Sequence, residues 1–414
     1  MAKFSVRILL APSGERLPVL VNRSTGMPAF YPNLYVLTEL RQTNRASATI
    51  ERALRELSVL LDYLVDVGIH LDERMREGFL LSPGEIDGLA RYCRQSIKSS
   101  KVDASACVVS LRRQRTIPPQ TVSHITAANR LRTIHAYLSW LLVLRMSDIG
   151  QHDIVRSKLE QVRENVLPVL KARIPAAKGR NLLGLRQGLL PEMIDLLLQV
   201  VHPAYSNNPW KSEFSRQRNA LIICCLLMLG VRRGELLNIK ISDIDFRKNE
   251  VMIARRADDP EDPRRDQPKV KTRDRILPLS PALAAQIYEH IIKERPKKRG
   301  ATKHAYLFVA EHTGAPMSLS SLNRIFQNLR KLNPELPDNL SSHMLRHTWN
   351  DEFSRKIEGK EIGEAKEEQM RSYLMGWSPT SSTASTYTKR FVEEKARQIS
   401  LDFQKKIVAV TDND

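Results

Sequence analysis

Five residues in the second half of the chain have side chains that together could break and remake a phosphodiester bond. In chain order they are Arg232, Lys271, His343, Arg346 and Tyr387. A guanidinium is always charged and grips two oxygens at once, so the arginines suit a five-coordinate phosphorus. A tyrosine phenolate conserves the bond energy in a covalent intermediate, and histidine and lysine can move the protons. Such chemistry needs no metal and no nucleotide cofactor, and we expect neither.

These residues fall in four short motifs, whose order along the chain is as informative as their composition. The first is GVRRGELL at 230–237, and the second is KVKTRDRILPL at 269–279. The third is HMLRHT at 343–348, and the fourth is LMGW at 374–377, followed by Tyr387 among Ser and Thr. The spacing in the third motif places its first histidine and its arginine on one side of a helical turn. The second motif predicts a β-hairpin that delivers Lys271.

Some of the motifs contain a rival or an additional candidate. Arg233 follows Arg232, but the spacing from the preceding glycine favours Arg232. Lys269 lies two residues before Lys271 on the same face of the predicted strand, so the choice between the two lysines stays open. His347 is expected to be a supporting or core residue.

Other candidates have more ordinary interpretations. Tyr373 lies in an apolar helical segment, where a tyrosine is usually packed, whereas Tyr387 lies in a polar setting that suits a nucleophile. Glu235 is expected to be a structural partner of an arginine. Asp243 and Asp245 predict a turn rather than a metal site, because no third acidic ligand follows at a fixed spacing.

The four motifs resemble those of the tyrosine recombinase family, also called phage integrases. GVRRGEL at 230–236 is similar to the family's Gly-x-Arg-x-x-Glu-Leu run, and HMLRHT at 343–348 is similar to its His-x-Leu-Arg-His-Thr motif. The last family motif is a Leu-Gly-His/Trp turn with a tyrosine about ten residues later. Here MGW at 375–377 and Tyr387 resemble it. The resemblance is specific over about 188–400.

The resemblance implies a role for each matched residue. Arg232 and Arg346 would clamp the scissile phosphate, and His343 would act as general base and acid. Trp377 would donate its indole N–H to a phosphate oxygen, in the position where many members have a second histidine. Tyr387 would attack phosphorus, form a 3′-phosphotyrosyl link and release a 5′-hydroxyl.

The resemblance further implies site-specific recombination of double-stranded DNA by a homotetramer, with accessory proteins as further partners. The chain's length and the unmatched segment 1–40 favour a mobile-element integrase or transposase. Two other functions stay open, namely a non-catalytic DNA-binding relative and a type IB topoisomerase-like enzyme. The intact residue set is evidence against the first, and the helical N-terminal domain and the His-x-x-Arg motif are evidence against the second.

The composition agrees with a nucleic-acid partner. Lys and Arg total 65 against 46 Asp and Glu, so the net charge is +19 and the pI is about 9.9. Such a surplus favours a polyanionic ligand, although a generally basic protein would have the same charge. No apolar stretch approaches the roughly 20 residues of a membrane span, and the N-terminus has no apolar signal segment. The four cysteines lack zinc spacing, which is typical of reduced, cytoplasmic proteins.

The elements that must position these residues predict a mostly α fold with a small β-sheet in the catalytic domain. We expect a β-rich arm or extension at 1–43, a helical core-binding DNA domain at 44–150 and a linker at 151–187. An α+β catalytic domain would follow at 188–414. A basic loop at 101–120 could meet DNA phosphate. Apolar residues at helical spacing predict a C-terminal tail helix, which would dock on a neighbouring protomer or on its own domain.

Overall fold

The structure is a computed structural model, and its chain divides into two compact units, Met1–Asn181 and Leu182–Asp414. The residues that it describes are 2–96, 121–176, 188–268, 270, 272–358, 360–378, 381, 383–388, 391 and 399–401. The predicted fold class, mostly helical with small sheets, is confirmed. The basic loop, both candidate lysines and most of the predicted tail helix lie outside the described residues. Within the described ranges, no helix is both long enough and apolar enough to cross a bilayer.

The N-terminal unit begins with a two-stranded antiparallel sheet. Strands β1 (Phe4–Leu10) and β2 (Arg16–Asn22) pair in register from Phe4 opposite Asn22 to Leu10 opposite Arg16. Leu20 of β2 is buried in the same core as Tyr35 and Val36, which belong to the helical segment that follows. Residues 1–43 are therefore β-rich only as far as residue 22, and they share the core of the unit.

The described part of this unit contains six helices: α1 (Phe30–Tyr35), α2 (Ser47–Val67), α3 (Leu71–Arg76), α4 (Pro83–Tyr92), α5 (His124–Ser147) and α6 (Ile154–Ala172). A wider helical turn, Val36–Arg41, continues α1. Local signals set some helix ends. The hydroxyl of Ser82 accepts from the N–H of Glu85, whose carboxylate accepts from the N–H of Ser82, and this capping box starts α4.

Helix α6 occupies much of the segment that we expected to be a linker. Leu159, Leu167 and Leu170 of this helix are buried in the core of the N-terminal unit. The charged residues that suggested a linker, such as Arg163 and Glu164, are exposed on the same helix. Helical spacing sorts this charged segment into an apolar and a polar face, so α6 packs in the N-terminal unit, and the boundary between the two units falls between Asn181 and Leu182, within the expected linker.

The C-terminal unit surrounds its apolar core with helices and one small sheet. Its α-helices in the described residues are α7 (Pro191–Val201), α8 (Glu213–Leu229), α9 (Arg233–Leu236), α10 (Pro281–Glu289), α11 (Leu319–Leu332), α12 (Ser342–Ile357) and α13 (Glu364–Met375). Other helical turns, tighter or wider than an α-helix, are Ile241–Asp243, His290–Glu294, Arg295–Lys297 and Arg299–Lys303. Residues 383–388 are also helical. Helix α8 packs on α7, α10 and α12, and Ile222, Leu226 and Leu345 are fully buried there.

The sheet of this unit is antiparallel, in the order β3 (Ile244–Asp245), β4 (Glu250–Ile253) and β5 (Arg275–Pro278). Among the described residues of the second motif, the strand is Arg275–Pro278, at the C-terminal end of the motif. Residues before it pair instead with the turn that follows α13, because the N–H of Arg273 donates to the carbonyl of Gly376 over 3.0 Å. The sheet and α13 are in this way joined beside the fourth motif.

Candidate active site

The turn after α8 places Arg232 at the edge of a cavity. Gly230 ends α8 with φ of 60°, and a Cβ there would lie 2.7 Å from Cγ of Trp349, so both backbone and packing require glycine. The backbone N–H of Arg232 donates to Oε2 of Glu235 over 3.0 Å, and its Nη1 donates to Oε1 over 3.3 Å. The guanidinium of Arg232 is thus held on its buried side, while 32% of the side chain remains exposed.

The buried carboxylate of Glu235 gathers cationic and polar groups from three motifs. Nη2 of Arg275 donates to Oε2 over 2.8 Å, and the hydroxyl of Thr272 donates to Oε1 over 2.7 Å. Nη1 of Arg346 lies 3.9 Å from Oε2. Burial disfavours the charged carboxylate, but the charges of Arg275 and Arg346 outweigh it and hold the pKa of Glu235 below its ordinary value. Glu235 is therefore a structural partner of arginines, as predicted.

Arg346 is almost fully buried, at 2% exposed. Its Nη1 donates to the carbonyl of Gly230 over 2.7 Å, and its Nη2 donates to the carbonyl of Met375 over 3.1 Å. These bonds tie α12 to the ends of α8 and α13. Burial, together with the positive charge of Arg232, lowers the pKa of Arg346 to about 9. An anion placed beside the two guanidinium groups would relieve their repulsion, so this site favours an anionic ligand.

A cavity of about 500 Å³ opens beside these arginines. Its cationic lining consists of Arg232, Arg233, Arg330 and Arg346, and His343 also lines it. Among the described residues that line it, none carries a carboxylate. A cavity with this charge fits a phosphate group, which guanidinium groups bind in a bidentate manner.

The turn after α13 places Trp377 over Arg346. Gly376 has φ of 65°, and a Cβ there would lie 2.6 Å from Nη1 of Arg275, so only glycine fits this close approach to the second motif. Cζ of Arg346 lies 5.5 Å from the ring centre of Trp377. The indole N–H of Trp377 is buried and has no acceptor among the described residues. This donor is therefore available to an acceptor that a ligand supplies.

Tyr387 packs directly against this tryptophan. The two rings are stacked, with centres 5.6 Å apart and planes 11° apart, and Tyr387 is 8% exposed. Its hydroxyl lies 2.8 Å from Nδ1 of His347. Burial raises the pKa of Tyr387, and the charges of Arg346 and Arg232 oppose that rise. The tyrosine thus lies in the same unit of the same chain as the arginines.

The structure brings most of the predicted site residues together. Trp377 contacts both Arg346 and Tyr387, and Arg232 and His343 line the cavity. Lys271, like its rival Lys269, lies outside the described residues.

Sequence reasoning missed the residue that hydrogen-bonds to the nucleophile candidate. It gave His347 only a supporting or core role, whereas His347 is the hydrogen-bond partner of Tyr387. His343 and His347 are four residues apart on α12, and their rings meet edge to face with centres 4.4 Å apart. That spacing puts two histidines on one helix face, and it is the signal that could have identified the second one.

The rival residues have other environments. Arg233 is exposed on the cavity wall. Tyr373 is 60% exposed, so it is not packed as its apolar neighbours suggested. Asp243 forms an ion pair with Arg256, and Asp245 accepts N–H groups of the following turn. Both aspartates therefore have the structural roles that the sequence predicted.

Comparison with known proteins finds similarity in this part of the chain. Residues 209–394 match the model of the phage integrase family. The putative integrase/recombinase y4rF of Sinorhizobium fredii (strain NBRC 101917 / NGR234) is 33% identical over 134 residues, which are 32% of this chain and 28% of that protein. A tyrosine recombinase XerC-like protein of Caldanaerobacter subterraneus subsp. tengcongensis is 28% identical over 188 residues, 41% of this chain and 45% of that protein. The chain thus spans less than half the length of these two relatives.

More distant relatives extend over more of the chain. Tyrosine recombinase XerS of Streptococcus uberis is 23% identical over 322 residues, 72% of this chain and 77% of that protein. A solved structure of the Tn1549 transposon integrase in complex with a circular intermediate DNA has 17% identity and a TM-score of 0.42. It covers 64% of this chain and 75% of that one.

Proposed function

We propose, from the premise that residues 209–394 are a domain of the phage integrase family, that this chain is a site-specific tyrosine recombinase. It would cut and rejoin DNA strands through a 3′-phosphotyrosyl intermediate. The observation that carries the proposal is the convergence of Tyr387, Trp377 and Arg346 beside a cavity whose charged lining is cationic. These groups would bind, attack and neutralise a phosphodiester.

The arginines would bind the scissile phosphate. Arg232 offers a partly exposed guanidinium that lines the cavity, and Arg346 also lines it. The buried indole N–H of Trp377 would donate to another oxygen of the same phosphate. These donors are held by the surrounding fold before the reaction, so they would stabilise charge that develops on phosphorus without reorganisation.

The hydrogen bond of Tyr387 indicates the route of the first proton. The phenol O–H of Tyr387 would break as Nδ1 of His347 takes the proton, with His347 in the tautomer protonated at Nε2. The phenolate oxygen would form a bond to phosphorus as the bond from phosphorus to the 5′ oxygen breaks. Rejoining reverses these steps with a 5′-hydroxyl of the other strand, and Tyr387 regains its proton. One phosphodiester is exchanged for another, so no energy source is consumed.

The departing 5′ oxygen needs a proton of its own. We assign this donation to Lys271, with Lys269 as the alternative, because either lysine precedes β5 in the motif that joins the sheet to the site. His343 lines the cavity, and we assign it to acid–base chemistry at the phosphate. The proton transfers that the resemblance gave to His343 alone are thus divided among His347, a lysine and His343.

The proposed substrate is a pair of double-stranded DNA sites held by four copies of the chain. The net charge of +19 supports a polyanionic partner. We further propose integration of a mobile element as the biological reaction. Sedimentation of the protein with a cognate duplex would test the assembly, and a complex smaller than a tetramer on two duplexes would contradict it.

Covalent trapping on DNA tests the catalytic proposal. The probe is a pool of nicked duplexes with randomised sequence around the nick, in which the short cleaved fragment diffuses away and leaves the protein attached. We expect an adduct that resists denaturation and maps by mass spectrometry to the peptide containing Tyr387. Tyr387→Phe should form none, and the matched control Tyr373→Phe should form as much as the wild type.

Other outcomes would exclude the proposal. No adduct with the wild type, or an adduct that persists in Tyr387→Phe, would contradict it. The duplex sequences recovered in the adduct can be placed as two sites in a supercoiled plasmid. Relaxation of that plasmid without strand exchange between the two sites would indicate a topoisomerase instead.

A further inference from the structure

A second buried cation lies behind the proposed nucleophile. Arg371 of α13 is 0% exposed and lies between two aromatic rings. Its Cζ is 4.8 Å from the ring centre of Phe353 and 5.8 Å from the ring centre of Tyr387. Both distances allow a guanidinium to be attracted to an aromatic face. Arg371 thus connects α12 and α13 to the helical turn that carries Tyr387.

Hydrogen bonds fix the position of this guanidinium. Nη1 of Arg371 donates to the carbonyl of Asn350 over 2.9 Å, and Nη2 donates to the hydroxyl of Ser354 over 2.7 Å and to the carboxylate of Glu367. The side-chain amide of Asn350 donates in turn to the carbonyl of Arg346 over 2.8 Å. The cation behind Tyr387 is therefore anchored to the helix that carries the phosphate-binding arginine.

Packing by itself does not account for a charge at this position. Burial disfavours the charged guanidinium and lowers the pKa of Arg371 from its ordinary value, against the charge of Glu367. Its Nε has no hydrogen-bond partner among the described residues. An apolar side chain could fill the space between two rings without the desolvation of an ion. An effect of the Arg371 charge on the neighbouring Tyr387 is a better explanation for an arginine at this position.

We propose that Arg371 is a positioning residue for Tyr387, which holds the tyrosine ring against Trp377 and stabilises the phenolate as it forms. The inference rests on the proposed role of Tyr387 as nucleophile. Arg371 is not among the residues that line the phosphate-binding cavity, so it would act on the tyrosine from behind, whether or not DNA is bound.

The charge of Arg371 adds to others that face the tyrosine. Arg346 and His347 approach from α12, Arg232 approaches from the turn before α9, and Arg371 approaches from α13. The three arginines each lower the pKa of Tyr387, while burial raises it. Removal of Arg371 should therefore make the phenol harder to ionise.

The test uses variants of the full chain that separate charge from packing. Arg371→Met combined with Glu367→Gln removes the cation without leaving its carboxylate partner unpaired. Arg371→Lys keeps the charge in a different shape. The matched control is Arg355→Met, which removes an arginine of α12 whose ion-pair partner is Glu352.

The first readout needs no DNA. 3,5-Difluorotyrosine is incorporated at position 387, which brings the phenol titration to a lower pH, and its ionisation is followed by fluorine NMR. We expect the midpoint in the Met/Gln double variant to lie higher than in the wild type, by on the order of one pH unit. Arg371→Lys and Arg355→Met should stay near the wild-type midpoint. An unchanged or lowered midpoint in the double variant would overturn the inference.

The second readout is the rate of adduct formation on the selected nicked duplex as a function of pH. The double variant should be roughly tenfold slower at neutral pH, with the rising limb moved to higher pH, while its melting temperature is not lowered. A uniform loss at every pH would indicate a structural role only. If the wild type forms no adduct, the recombinase proposal fails, whereas the fluorine titration still decides the role of Arg371.

Discussion

The hydroxyl of Tyr387 lies 2.8 Å from Nδ1 of His347, so the tyrosine is paired with a histidine other than the first one of its motif. His343 lies one helical turn earlier and lines the cationic cavity. The two rings meet edge to face, with centres 4.4 Å apart. One face of α12 thus presents His347 to the tyrosine and His343 to the proposed phosphate position. The group that would accept the tyrosine proton is therefore a different histidine from the one beside the phosphate.

His347→Gln should slow adduct formation, because glutamine can hydrogen-bond the phenol but cannot accept its proton. The expected loss is on the order of 10²-fold. A duplex with a bridging sulfur in place of the 5′ oxygen should not restore the rate, since sulfur leaves without a proton and the missing group is a base. The rate of adduct formation on oxygen and sulfur duplexes is the measurement.

The matched variants are His343→Gln and Lys271→Ala on the same two duplexes. The sulfur duplex should restore Lys271→Ala, because a good leaving group replaces the lost acid. Restoration of His347→Gln to the same extent would show that His347 supplies a proton instead of accepting one.

Arg346→Lys should keep the positive charge but lose most of the activity. The guanidinium reaches the carbonyls of Gly230 and Met375 at the same time, and an ammonium cannot reproduce this planar geometry. Adduct formation should fall roughly 10²-fold or more, with far-ultraviolet circular dichroism unchanged. A rate within about threefold of the wild type would mean that charge alone suffices.

Glu235→Gln should destabilise the C-terminal unit, because a neutral amide leaves Arg275 and Arg346 buried beside each other without an anion. The expected loss in free energy of unfolding at pH 7 is about 3 kcal/mol, measured by urea denaturation. Arg232 is partly exposed and should contribute little to this loss.

The same carboxylate predicts a pH dependence with a definite sign. The folded-state pKa of Glu235 is lowered from 4.5, so its stabilisation is complete above that unfolded value and is lost as the pH falls through the folded pKa. The free energy of unfolding of Glu235→Gln should therefore fall less than that of the wild type as the pH is lowered. If the stability difference between wild type and variant is the same at pH 7 and well below 4.5, Glu235 is not the anion that balances these arginines.

Gly230→Ala should destabilise the chain by about 2 kcal/mol or more, since it combines a strained positive φ with overpacking. The added Cβ would lie 2.7 Å from Trp349 and 2.8 Å from Met375. Adduct formation should fall as well, because the carbonyl of Gly230 orients Arg346. Gly363→Ala is the control, since its Cβ would meet open space. Equal unfolding free energies for the two variants would contradict this account.

The fold could be predicted from the sequence where the signal is local. The capped start of α4 follows from a serine three residues before a glutamate, and the end of α8 follows from a glycine after an apolar run. Residues 30–41 were expected to be part of a β-rich arm but are helical, because their apolar residues join the core of the N-terminal unit. A charged segment looks like a linker until the packing of its few leucines is known.

The sequence by itself determined the chemistry that this protein can offer. Residue types and spacing predicted Arg232, His343, Arg346 and Tyr387, and the family resemblance added Trp377, because a helical turn or a glycine turn fixes the local direction of a side chain. Only the tertiary structure decided which groups meet. It paired Tyr387 with His347, balanced the arginines on Glu235 and set Arg371 behind the tyrosine. Those contacts join residues far apart in the chain, and their geometry depends on the packing of α8, α12 and α13, which local spacing does not encode.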